Sequence, residues 1–211
     1  EKGHLQSKRL EIPPQYKTET EQKAAQNAQT GTKTDPKAQQ RITPEQLQAV
    51  ATHLYGELLQ GGYTQVCEFH YLHHSVCGAP HLNPLAMSLA LARAAAASGI
   101  GLTVLPVLYE RAGFGQATLR EDQRRFATTV DSVLRMRDGI RAWQLPGVRA
   151  GLAIHSLRAA APDSMHALSQ ALRGDDGPIH IHIAEQTAEV DDCLAATGAR
   201  PIEWLAKELP L

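Results

Sequence analysis

His180 and His182 stand two residues apart in the apolar run GPIHIHIAEQ, Gly177 to Gln186, and Glu185 follows three residues after the second histidine. In an extended strand, residues two apart share a face. Ile179, Ile181 and Ile183 then point one way, and His180 and His182 the other. The same division on GLAIHS sets Leu152 and Ile154 against Ala153 and His155. On VCEFHY, the polar Glu68 and His70 share the face opposite Cys67 and Phe69. Taking the polar face as the inward one, three strands carry an inward histidine near their C-terminal ends: His70, His155 and His182.

These residue types suit metal-assisted hydrolysis. A neutral imidazole holds Zn²⁺ or a similar ion, which lowers the pKa of a bound water to roughly 7. A nearby carboxylate then moves protons. His182 is closer to the end of its strand than His180 and is the better ligand. His180, one layer deeper, reads as structural. Glu185 comes just past the strand, where it can serve the reacting group.

The elements that must position these residues alternate. TPEQLQAVATHLYGELLQGG reads as a helix, with Thr43 as N-cap, Pro44 at its first position, Gln46 completing a capping box, and Gly61 and Gly62 at its end. Four strands are expected near residues 64–70, 101–107, 149–155 and 178–184. Each is followed by a helical stretch: one capped by Asn83, one running from Arg120 to Ile140, one at PDSMHALSQALRG and one at QTAEVDDCLAATG. Strict alternation with apolar strands means parallel βαβ units, in an open sheet or a (β/α)₈ barrel. No G-x-G-x-x-G or P-loop follows any strand, so the nucleotide-binding open sheet has no support. In a barrel, the C-terminal ends of the strands carry the active site.

Composition changes near residue 41. Residues 1–40 are rich in Gln, Lys, Thr and Glu and have Tyr16 as their single aromatic. Such a segment buries too little apolar area to offset its ordering entropy and reads as a disordered tail. Residues 41–211 form the expected folded domain. A formal net charge of -1 gives no global field for nucleic acid or an anionic membrane surface. Cys67, Cys77 and Cys193 form no C-x-x-C, which suits reduced thiols and a cytoplasmic location. No apolar run approaches the roughly 20 residues of a membrane span.

Four stretches together resemble formimidoylglutamate deiminase, an amidohydrolase-superfamily enzyme of histidine degradation: GYTQVCEFHYLHH, GIGLTVLPVLYERAGFGQ, HSLRA and HIHIAEQTAEVDDC with RPIEWL. The resemblance covers residues 42–211. It implies a (β/α)₈ TIM barrel, of which this chain would hold strands two to five with their helices. It also implies one divalent metal, zinc first among the candidates, and hydrolysis of N-formimino-L-glutamate to N-formyl-L-glutamate and ammonia. By position, His182 corresponds to the strand-five metal ligand, and Glu185 to the carboxylate that protonates or orients the formimino nitrogen. His155 and Arg158 correspond to residues holding the substrate's carboxylates, with His70 beside them. The residues themselves agree on Arg158, since a guanidinium gives a carboxylate two parallel hydrogen bonds. The partner is a small acidic molecule. The resemblance leaves room for a homodimer of the full-length protein.

The family also uses an H-x-H pair after strand one, a histidine after strand six and an aspartate after strand eight, and no counterpart is found in these 211 residues. The chain therefore reads as an internal fragment, short of metal ligands and inactive alone. His81 is placed where the family has a substrate-contacting tyrosine. Two other readings stand beside this one: a non-catalytic remnant acting as an interaction module, and a sibling amidohydrolase deaminating a cyclic substrate. HSLR weighs against the last, because a neutral ring needs no carboxylate clamp.

Overall fold

The structure is a computed structural model that describes residues 41–209. The tail read at residues 1–40 lies outside the described residues. The first helix, α1, spans Pro44–Gln60 and is capped as its sequence dictates: Thr43 Oγ1 accepts the Gln46 N–H, and the Gln46 side chain accepts the Thr43 N–H. Then come β1 (Gln65–His70), α2 (Ala86–Ser98), β2 (Gly101–Leu108), a 3₁₀ turn at Glu121–Phe126 and α3 (Val130–Ala142). They are followed by β3 (Val148–Ala150), β4 (Leu152–Ile154), α4 (Pro162–Ala171), β5 (Ile179–Ile181), α5 (Thr187–Thr197) and α6 (Pro201–Glu208).

All strand pairs are parallel, in the order β1-β2-β4-β5, with β3 pairing with β2. The sheet is the curled wall of a partial (β/α)₈ barrel, the one of the two architectures left open by the alternation that the resemblance implied. The third expected strand is split into β3 and β4 at Gly151. A Cβ there would run into the Pro178 carbonyl oxygen and come within 2.8 Å of Leu105 Cδ2. Only glycine admits the start of β5 so close to the backbone. The long helix expected from Arg120 breaks at residues 127–129. Thr129 caps the part that continues as α3 by accepting the Ser132 N–H, and the preceding turn tightens into 3₁₀.

Apolar residues of alternate parity fix the two faces. Leu102 and Val104 of β2 pack with Ala51 and Tyr55 of α1 and Leu91 of α2. Leu108, Leu152 and Ile154 pack with Met165 and Leu168 of α4 and Cys193 of α5. Each fully buried leucine contributes about 2 kcal/mol by leaving water. The opposite, concave face carries Leu105, Val107 and Ala153, with Phe69 and Tyr71 against them. Among the described residues no helix is long and apolar enough to cross a membrane.

Candidate active site

Strand register puts Phe69 beside Leu105, Val107 beside Ala153, and Ala153 beside His180. The concave face therefore ends, at the strands' C-terminal edge, in Phe69 of β1, Tyr71 just after it, Tyr109 after β2, His155 after β4 and His182 after β5. His155 is the centre of this group. Its ring centroid lies 4.3 Å from that of Tyr109, 5.5 Å from Tyr71, 5.7 Å from His182 and 6.0 Å from Phe69. His182 stacks on Phe69 at 3.9 Å. The ladder continues one step past β5, where the His182 N–H donates to the His155 carbonyl at 3.3 Å.

The surroundings keep His155 neutral. Burial, and then the neighbouring His182 and Arg158, push its pKa down to about 4. A neutral imidazole has one N–H to donate and one nitrogen to accept. Its Nδ1 lies 3.2 Å from Ser156 Oγ. Tyr109 is held by Gln123, whose Nε2 donates to the phenol oxygen at 2.9 Å, and burial raises the phenol's pKa.

Arg158 follows on the same turn, close enough to weigh on both His155 and Tyr109. Its Nη2 is 3.7 Å from Glu189 Oε2, a carboxylate wholly out of solvent. Its Nε is buried and has no acceptor among the described residues. The turn is stitched to the end of β2. Arg111 donates from Nε to the Arg158 carbonyl at 3.1 Å and from Nη2 to the Leu157 carbonyl at 2.9 Å. The Ala161 N–H donates to Glu110 Oε2 at 3.0 Å.

Glu185 lies past β5, exposed, beyond a turn in which Ala184 takes a left-handed φ of 53°. Its backbone N–H donates to Glu189 Oε2 at 3.1 Å. His180 is on the concave face one step below His182 and is exposed.

His70 is elsewhere. Its neighbour of like parity, Glu68, accepts a 2.7 Å hydrogen bond from the Tyr55 hydroxyl of α1, so this side of β1 faces the helices. His70 is buried with its ring 5.0 Å from that of His73, and burial pushes its pKa down to about 4. The expectation that His70 stands beside His155 and His182 is corrected: Phe69 takes the inward place. On β1 the partly buried Glu68 is satisfied by Tyr55 of helix α1, and the buried His70 packs against His73 of the loop after the strand. His81 also lies apart from the group, in a cleft with Ile42, Cys77 and Arg124. The tyrosines that do line the mouth are Tyr71 and Tyr109. Inward parity from Phe69 would have found the first.

The family model that matches residues 18–208 is that of the amidohydrolase family. The chain belongs to the amidohydrolase family. The match begins ahead of Arg41, where the composition changes. Among curated amidohydrolase relatives, the formimidoylglutamate deiminase of Pseudomonas aeruginosa is 49% identical over 166 residues, covering 78% of this chain and 36% of that protein. The chain thus spans about a third of that relative's length. Among solved structures, an amidohydrolase from Brucella melitensis shares 45% identity at a TM-score of 0.78, over 82% of this chain and 39% of the other. Atrazine chlorohydrolase from Arthrobacter aurescens, complexed with zinc, shares the fold at 20% identity and a TM-score of 0.60, over 89% of this chain and 38% of the other.

That last structure is complexed with zinc. Among the described residues no three His, Cys, Asp or Glu side chains form a group able to hold a metal ion. His182 is a single imidazole, backed by Phe69. A catalytic zinc normally takes three protein ligands, so these residues do not form a complete centre.

Proposed function

We propose that this chain carries the acid-binding part of an amidine-hydrolysing site, in which N-formimino-L-glutamate becomes N-formyl-L-glutamate and ammonia. The observation that carries the reading is Arg158: a guanidinium at the mouth of the concave face with a buried Nε–H and no acceptor for it among the described residues. A buried donor of this kind calls for an acceptor from a ligand. A carboxylate supplies two acceptors in the matching plane. A neutral ring substrate offers neither the negative charge nor the paired coplanar oxygens that match a guanidinium.

In this reading Arg158 binds a carboxylate of the substrate, and neutral His155 donates a further hydrogen bond beside it. Water adds to the formimino carbon, the bond from that carbon to the terminal nitrogen breaks, and the water oxygen becomes the formyl oxygen. Glu185 delivers the proton that lets the nitrogen leave as ammonia. His182 would be one ligand of a divalent ion, zinc by preference, which when bound would activate the water. The remaining ligands would come from parts of the relative's length that this chain does not match. Residues 41–211 would be the barrel portion, the setting cytoplasmic, and the chain by itself nearly inactive.

The test is ammonia release from N-formimino-L-glutamate with zinc present, from this chain and from a form extended to the length of the Pseudomonas relative. The extended form should turn over and the chain alone should not. Rates within about tenfold of each other, roughly 1.4 kcal/mol in barrier, would overturn the view that ligands outside the chain are needed.

A further inference from the structure

Glu189 has no role in the chemistry above, yet it joins the two ends of the proposed site. It sits in the first turn of α5, fully buried. Its Oε2 accepts the Glu185 N–H at 3.1 Å and lies 3.7 Å from Arg158 Nη2. Its Oε1 has no partner among the described residues. A carboxylate that merely capped α5 would bond N–H groups of the cap or the first turn. This one accepts the N–H of Glu185, which precedes the cap residue Gln186, and reaches a guanidinium carried by a different strand's loop. The turn it holds is strained. Ala184, at φ 53°, is in a region that alanine seldom occupies, and it lies between His182 and Glu185. Burying a carboxylate away from water is costly unless it is paired, and the guanidinium beside this one is that of Arg158.

We propose that Glu189 is a positioning residue that fixes the separation between Arg158, which holds the carboxylate end of the substrate, and Glu185, which serves the reacting end. The proposal rests on the amidine-hydrolase reading for the meaning of those two ends, but the bridge itself does not. Glu189 engages the Nη2 corner of Arg158 and leaves Nε to the ligand, so the guanidinium is shared between a fixed protein carboxylate and an incoming one. The same oxygen anchors the backbone of Glu185 after the Ala184 turn. Losing Glu189 therefore loosens both ends together.

The experiment uses the whole chain with N-formyl-L-glutamate as probe. Amide hydrogen exchange at Glu185, the NMR signal of the Arg158 Nε–H and the calorimetric affinity are measured for Glu189→Met and Glu189→Gln. In Glu189→Met, Glu185 should exchange at least tenfold faster, the Arg158 signal should broaden, and affinity should fall at least tenfold. Glu189→Gln keeps a carbonyl acceptor, so it should restore protection at Glu185 and leave Arg158 loosened. Unchanged Glu185 exchange in Glu189→Met, or affinity within twofold of the unsubstituted chain, would overturn the proposal. If the unsubstituted chain fails to bind the probe, the substrate reading falls, while Glu185 exchange and the Arg158 signal still decide the bridge. If Glu189→Met does not fold, the unsubstituted chain decides: at least tenfold protection of the Glu185 amide over an unstructured peptide supports the bridge, and exchange at the peptide rate overturns it.

Discussion

The imidazole of His182 lies flat against the phenyl ring of Phe69, with ring centroids 3.9 Å apart. The two residues belong to opposite ends of the strand path β1-β2-β4-β5. In a flat sheet, strands three places apart would be about 14 Å from one another, too far for such a contact. The stack therefore measures the curl of the sheet. It also supports one face of His182, leaving the ring's edge to a ligand.

Replacing Phe69 with alanine should cost about 2 kcal/mol, toward the low end for a large-to-small change because the ring is only partly buried. A double-mutant cycle with His182→Ala in urea unfolding should return a coupling of about 0.5–1.5 kcal/mol. Strict additivity would mean that the rings do not stack in solution.

Much of this site was legible in the sequence, and the exception is instructive. On β4 and β5 the isoleucines and leucines are the large apolar residues, so they mark the helix side, and His155 and His182 fall inward. On β1 the rule that polar residues face in fails. Glu68 is partnered by Tyr55, thirteen residues earlier on α1, and His70 is buried beside His73. That partnership exists only after α1 docks, and no local pattern encodes it. Likewise Glu189 reads locally as a helix-start acid, and its contact with Arg158 depends on how α5 sits against the turn after β4.

Arg111 should prove structural for that turn. Arg111→Met would leave the Leu157 and Arg158 carbonyls without their guanidinium donor. Hydrogen bonds to charged groups contribute about 1.5–3 kcal/mol each. A loss of at least about 1.5 kcal/mol in urea unfolding is expected, together with faster exchange in residues 157–161. Unchanged stability would show that the bonds are not formed in solution.

Gly151 should tolerate no side chain. Gly151→Ala presses a methyl group onto the Pro178 carbonyl and Leu105, and overpacking of this kind costs about 1–3 kcal/mol. The melting temperature should drop by several degrees. A variant as stable as the unsubstituted chain would contradict the close approach of β5 to the break between β3 and β4.

Acid should weaken the fold through His70. Its folded pKa of about 4 lies below the usual 6.5, because burial opposes the charged form. Between those values the unfolded chain binds the extra proton, so stability is full above pH 6.5 and is lost as pH falls toward 4. The difference of about 2.5 pKa units corresponds to something on the order of 3 kcal/mol. His73, also held low by burial, adds in the same direction. Urea midpoints measured from pH 7.5 to 4.5 should fall, and His70→Leu should flatten part of that slope. An identical slope in the variant would remove His70 as the cause.

The most direct measurement is the binding of N-formyl-L-glutamate to the chain by calorimetry, set against formamide, which has the reacting group's shape without the carboxylates, and repeated with Arg158→Met. Binding of the dicarboxylate alone, weakened at least tenfold in Arg158→Met, is the predicted result. Equal affinity for the two ligands, or binding of the dicarboxylate that survives the loss of Arg158, would contradict an acid-holding site built on that residue.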